Sequence, residues 1–243
     1  KALRPLPEKW HGLKDVEERY RKRYLDLLMN GDVKKNFLIR SEIFKKLRKI
    51  FDCLGFVEVE TPVLQLTPGG ANAQPFKTHL NALDLDLYLR IAPELYLKQL
   101  LIGGFEKIYE IGRNFRNEGM DAHHNPEFTM LEAYVAYKDS AYLKTFLQDV
   151  LRALIKDLTG SLIITYEKNS IDFSKPFQRL TLKQSILDFN SDISASDLND
   201  LSKAKALAQR LDIAVHENYG LGKVQTDIFE KLVEKKLKQP TFI

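Results

Sequence analysis

The residues best suited to chemistry on charged small molecules lie in one stretch, FRNEGMDAHHNPEFTMLEAY, at residues 115–134. Side chains alternate along an extended strand, so Phe128, Met130, Glu132, Tyr134 and Ala136 share one face. Glu132 and Tyr134 thereby set a carboxylate beside a phenol. Arg116 and Glu118 share a face in the same way just upstream. A sheet face bearing Arg, Glu, Glu and Tyr is polar where a buried face would be apolar. It is either a solvated face with cross-strand ion pairs or a pocket in which carboxylates take a cation and an arginine takes an anion. The connecting RNEGMDAHHNPE is long for a hairpin loop, and long loops on rigid sheets carry function. That favours the pocket. His123, His124 and Glu127 suggest a metal cluster at first sight. Adjacent histidines on extended chain point apart, so no metal site is expected here.

These side chains need a frame. Residues 106–115 and 128–137 read as strands flanking the loop, which predicts an antiparallel sheet at the centre of an α+β chain. Residues 15–29 form a charged helical stretch with Tyr20, Tyr24, Leu25 and Leu28 at helical spacing. Phe37, Phe44, Leu47, Ile50, Phe51 and Leu54 then recur at steps of three and four, the period of an amphipathic helix that Gly55 would stop. Residues 56–60 read as a strand with valines on one face and glutamates on the other. Residues 83–91 alternate Leu83, Leu85, Leu87, Leu89 and Ile91 against Asp84, Asp86, Tyr88 and Arg90. This predicts a half-buried strand or tight hairpin with the leucine row in the core. Pro93 opens a short helix that ends before Gly103 and Gly104. Ser140 opens a helix running to Thr159, a short strand covers 162–166, and weaker helices start near Thr181 and Ser196. A last helix is expected over about 224–238, then a strand-like 241–243.

The chain has 243 residues, 44% hydrophobic and 29% charged, with a formal net charge of +4. That suits a folded domain with a sizeable core. No apolar run approaches the roughly 18 residues that span a bilayer, and the first residues have no signal-peptide core. The single cysteine, Cys53, fits a reducing compartment, and the expected location is the cytoplasm. Short basic clusters such as Arg21-Lys22-Arg23 read as solvated helix faces, so charge alone does not argue for a nucleic acid. Phosphate-loop, dinucleotide and zinc-protease fingerprints are absent from the sequence.

The residues 115–134 resemble motif 2 of the class II aminoacyl-tRNA synthetases, an FRxE, a variable loop and then xPEFTxxE. The helix and strand ending in FVEVETPVL are similar to motif 1, with Pro62 as its proline. TPGGANAQPF, the run DLYLRIAPELYLKQLLIGGFEKIYEIGRNFRNE and the leading LRPLPEKWHGLKDVEERYRKRY resemble the lysyl-tRNA synthetases throughout. The resemblance covers nearly the whole chain and implies a class II core, a mixed and mainly antiparallel sheet flanked by helices, truncated at the C-terminus. It implies that residues 1–30 are a linker and lead-in helix from an N-terminal anticodon-binding barrel, and 31–243 a partial catalytic domain with a helical insertion at about 167–222. It also implies a homodimer through the motif 1 helix and Pro62.

The activity it implies is ATP-dependent activation of lysine and its transfer to tRNA(Lys), with Mg2+ in the complete enzyme. Carried over residue by residue, Arg116 grips the α-phosphate and the lysine carboxylate and is the catalytic residue. Asn117, Glu118, His124, Asn125 and Phe128 join Arg116 in holding ATP, with Glu118 on the adenine amino group and Phe128 stacked on its ring. Gly70, Glu94, Glu132 and Tyr134 bind lysine. The metal ligands and motif 3 are expected beyond Ile243, which puts the activity of the 243 residues alone in question. A stand-alone paralog acting on elongation factor P and a non-catalytic synthetase-like binding protein are the alternatives.

Overall fold

The computed structural model describes residues 13–121 and 124–243. Residues 1–12 of the expected linker, and His123, fall outside that range. The described residues up to 139 form one compact unit and residues 140–243 another.

In the first unit, α1 (Val16–Arg21) starts on Asp15, whose carboxylate accepts the Glu18 N–H at 2.7 Å. The helix expected over 15–29 breaks at Lys22 and resumes as α2 (Arg23–Met29). Across the break, Arg19 and Arg23 both donate to the buried Asp26 carboxylate, which also accepts from Asn30 at 2.7 Å. A buried carboxylate persists only when paired in this way. Tyr20, Tyr24 and Leu28 remain exposed despite their helical spacing.

The apolar periodicity becomes α3 (Gly31–Cys53). Gly55 takes φ +78°, with Gly55 N–H on the Asp52 carbonyl and Phe56 N–H on the Phe51 carbonyl, both at 3.0 Å. This bond pair is the Schellman helix end, and its usual apolar contact is the edge-to-face pair Phe51–Phe56 at 5.0 Å. Phe37, Leu38 and Ile39 on the same helix stay exposed.

The strand expected over 56–60 shrinks to β1 (Val57–Glu58), and both its residues are exposed. Val59 still donates to the Tyr109 carbonyl at 2.9 Å, but Thr61 leaves the ladder to bond the Glu110 carboxylate. β2 (Leu64–Gln65), β3 (Lys77–Leu80) and β4 (Leu85–Leu89) make an antiparallel sheet in the order β2-β4-β3. Two expectations for 83–91 fail here. Leu83 lies in the β3–β4 turn beside Asp84 at φ +48° and is 70% exposed, and Leu85 is exposed as well. Arg90, on the face read as polar and open, is only 2% exposed. Leu87 and Ile91 are buried as expected.

Helix α4 (Glu94–Ile102) follows Pro93 and buries Leu97 completely. It packs on β5 (Lys107–Phe115) and β6 (Glu127–Val135), antiparallel strands of nine residues each. Their register sets Glu110 opposite Glu132 and Ile108 opposite Tyr134. β1 joins the other edge of β5 in parallel, giving the order β1-β5-β6. The sheet is therefore mixed and mainly antiparallel, but divided into small pieces.

The second unit opens with α5 (Ser140–Thr159), ended at Gly160 with φ +75°. The expected strand is half of a hairpin, β7 (Ile163–Tyr166) with β8 (Asn169–Asp172). β9 (Gln178–Arg179) pairs in parallel with β10 (Thr241–Phe242). α6 (Leu182–Phe189), α7 (Ala195–Asn199), α8 (Leu201–Arg210) and α9 (Leu221–Leu232) enclose a core of Ile186, Leu198, Leu207, Val224 and Ile228. The helix expected over 224–238 ends at Leu232 and gives way to a 3-10 turn, Glu234–Lys236.

Candidate active site

The β5–β6 pair builds the site. Arg116 extends the ladder one step beyond β5, its N–H on the Pro126 carbonyl at 2.8 Å. That step keeps Arg116 on the face of Glu110, Gly112 and Asn114, which looks across to Phe128, Met130, Glu132 and Tyr134. The Arg116 guanidinium lies 5.1 Å from the Phe128 ring centroid, and its Nε donates to the Ile91 carbonyl at 3.4 Å. Arg116, Glu118, Gly119, His124, Asn125 and Phe128 line one cavity of about 220 Å³. His124 is held by Asp121, which accepts from its backbone N–H at 2.8 Å and meets its ring Nδ1 at 2.8–2.9 Å. Asn117 is exposed and is not among the lining residues; its backbone N–H goes to the Gln74 carbonyl at 2.7 Å. Gln74 in turn donates its own N–H to Glu118 at 3.3 Å, so the chain that follows Gly70 is stitched to the segment just beyond β5.

Deeper on the same face, Tyr134 donates to Glu132 at 3.1 Å. Burial raises the Glu132 carboxyl above its ordinary range, and the charges of Glu94 and Glu110 add to this. The Tyr134 hydrogen bond and the Arg116 charge act the other way. The Tyr134 hydroxyl is also pushed up, by burial first and by Glu132 second. Glu94, on the first turn of α4, reaches Lys98 at 2.5 Å. Gly70 sits against it at φ +86°, where an added Cβ would come within 2.7 Å of the Glu94 Cβ. Only glycine fits both that backbone and that approach. Glu94 and Arg116 thus both act electrostatically on Glu132, and Gly70 packs against Glu94; the cavity at Arg116 is itself lined by neither Glu94 nor Glu132.

The family described as tRNA synthetases class II (D, K and N) matches residues 15–243, almost the entire chain. The chain belongs to this family. Among curated relatives it is 55% identical over 243 residues to the lysine–tRNA ligase of Thioalkalivibrio sulfidiphilus. It is 56% identical over 248 aligned residues to that of Teredinibacter turnerae, and 52% identical over 243 residues to that of Cronobacter sakazakii. Each match covers 100% of this chain and 48–50% of the relative. The chain therefore spans about half the length of the curated relatives it matches.

Within this class II unit, sequence reasoning missed the buried polar residues around β5. Arg90, Glu110, Gly112 and Asn114 are internal to strands or next to them, and in one sequence nothing separates them from solvated polar positions. Asn114 is 1% exposed and its Oδ1 has no hydrogen-bond partner. The available signal was an uninterrupted GRN within a strand otherwise made of large residues, since a strand glycine marks close approach of another group. Among the described residues, no three or more His, Cys, Asp or Glu form a group that could hold a metal ion.

Proposed function

We propose that the parent protein is a lysine–tRNA ligase and that this chain carries most of its amino-acid and adenine contacts. The observation that carries the reading is the Glu132–Tyr134 pair, on which the charges of Glu94 and Arg116 both act, with Gly70 packed against Glu94. A lysine laid along this face places its ε-ammonium at Glu132 and Tyr134. Its α-amino group meets Glu94, sharing or displacing Lys98, and its carboxylate meets Arg116. A lysine carboxylate oxygen attacks the α-phosphorus of ATP and pyrophosphate leaves. The terminal ribose hydroxyl of tRNA(Lys) then attacks the carbonyl of the adenylate, and AMP leaves. The protein's part is to align the reactants and to stabilise charge on the phosphorus oxygens, a task suited to the rigid fork of Arg116. Glu118, His124, Asn125 and Phe128 frame the adenine and phosphates, and Asn117 acts through its backbone tie to residue 74.

A buried carboxylate beside a buried ammonium also selects, because an uncharged analogue leaves the carboxylate unpaired. Mg2+ belongs to this chemistry in the complete enzyme. No three acidic or imidazole groups among the described residues are arranged to hold it, so no step here is routed through it. We further place the protein in the cytoplasm. Among the described residues no helix is long and apolar enough to cross a membrane. The homodimer proposed through α3 and Pro62 is supported by exposed Phe37, Leu38 and Ile39. Amino-acid-dependent ATP–pyrophosphate exchange by the full-length protein, run with a panel of amino acids, tests the assignment. Exchange with lysine is expected. Exchange with aspartate or asparagine but not lysine would end it.

A further inference from the structure

Arg90 and Glu110 form an ion pair inside the first unit, 2% and 4% exposed, with Nη1 and Oε1 2.5 Å apart. The pair is fully furnished with partners. Arg90 Nε donates to the Arg113 carbonyl at 2.8 Å, and Nη1 also reaches the Thr61 carbonyl and hydroxyl at 3.2 and 3.1 Å. The second Glu110 oxygen accepts from the Thr61 hydroxyl at 2.7 Å and from its N–H at 3.3 Å. Gly112 makes the room, since a Cβ there would lie 2.0 Å from Arg90 Nη2. The Arg90 backbone joins the same knot, with its N–H on the Val63 carbonyl and its carbonyl taking the Phe115 N–H, both at 2.9 Å.

Glu110 is the register partner of Glu132 on the neighbouring strand. Like charges directly opposite each other across antiparallel strands repel. A bare Glu110 would therefore compete with Glu132 for its negative charge. We propose that Arg90 is a positioning residue for the amino-acid pocket. It closes Glu110 into a neutral pair behind Glu132, and it locks residues 61–63 to the strand that carries Arg116. Glu94 has only the half-exposed Lys98, one helical turn on, as its cation. Glu132 is then the carboxylate left to answer the ε-ammonium, while Glu94 takes the α-amino group. The inference rests on reading this face as the lysine site.

The groups facing Glu132 are Glu94 from α4, Glu110 and Arg116 from β5 and its extension, and Tyr134 from β6 itself, with Arg90 behind Glu110. The test is lysine-dependent pyrophosphate exchange in the full-length protein, with KM for lysine and for ATP and the pH profile of kcat/KM for lysine. Arg90→Gln is expected to raise the lysine KM at least about tenfold with the ATP KM held within about twofold. It should also move the acidic limb to higher pH. Glu110→Gln leaves Arg90 as an uncompensated cation and should move that limb to lower pH. The double variant Arg90→Gln/Glu110→Gln should return the limb to its original position. If Arg90→Gln does not fold, the double variant and Glu110→Gln decide the matter through the limb alone. Unmoved limbs in folded variants, or equal losses for lysine and ATP, overturn the role of Arg90. Absence of lysine-dependent exchange in the unaltered protein overturns the lysine reading instead.

Discussion

At the scale of single residues the site is a set of charges whose partners decide what remains for a ligand. Glu132→Gln in the full-length protein is expected to lose more than about tenfold in lysine-dependent exchange, the value of one hydrogen bond to a charged group. Unchanged exchange kinetics would remove Glu132 from the pocket. Arg116→Ala is expected to lose about a hundredfold or more in adenylate formation, the usual effect of deleting a donor aimed at developing charge; single-turnover adenylate synthesis reads this directly. Glu132 also makes a pH prediction. Its folded-state carboxyl is raised, chiefly by burial. A raised carboxyl favours the protonated folded state, so its contribution to stability is full at low pH and fades as pH rises through the raised value. The ligand-free Glu132→Gln protein should therefore melt higher than the parent at about pH 8, and this advantage should vanish in acid. A variant that gains stability while losing exchange separates a ligand-binding carboxylate from a structural one.

At the scale of elements, the two backbone devices that glycine supplies can be weighed separately. At Gly55 the left-handed angle is the only demand, since the nearest atom to an added Cβ is Lys107 Nζ at 4.0 Å. Gly55→Ala should cost about 1 kcal/mol of unfolding free energy in denaturant titration and leave exchange intact. Gly70→Ala meets both the angle and the Glu94 contact, and it should damage lysine KM before stability. The same contrast explains what was legible beforehand. The Gly55 helix stop, the α4 helix, the β5–β6 pair and the faces of Arg116, Glu132 and Tyr134 follow from local periodicity, which one sequence contains. Where distant segments compete for the same atoms, the sequence was silent. Thr61, just past the expected strand, turns in to bond Glu110, Lys22 breaks a helix so that Arg19 and Arg23 can share Asp26, and Arg90 leaves its expected polar face to cross beneath Gly112. Leu83 failed for a simpler reason. A hairpin turn interrupts an alternation that the letters alone continue.

On the scale of the molecule, the two units have separate cores, and this can be tested. Ile228 is fully buried in the helical cluster of the second unit. Ile228→Ala should cost about 3 kcal/mol in that unit while the lysine KM stays unchanged. The exposed Phe37, Leu38 and Ile39, successive residues of α3, make a different prediction. In the full-length protein, Leu38→Glu should shift sedimentation from dimer toward monomer. β6 raises a further point, as the outer strand in the order β1-β5-β6. Nine residues long, it offers the outer row of its backbone amides and carbonyls to any extended peptide able to lie alongside. Material consisting of these 243 residues only should thus grow turbid with rising concentration, by cross-strand accretion and not by unfolding.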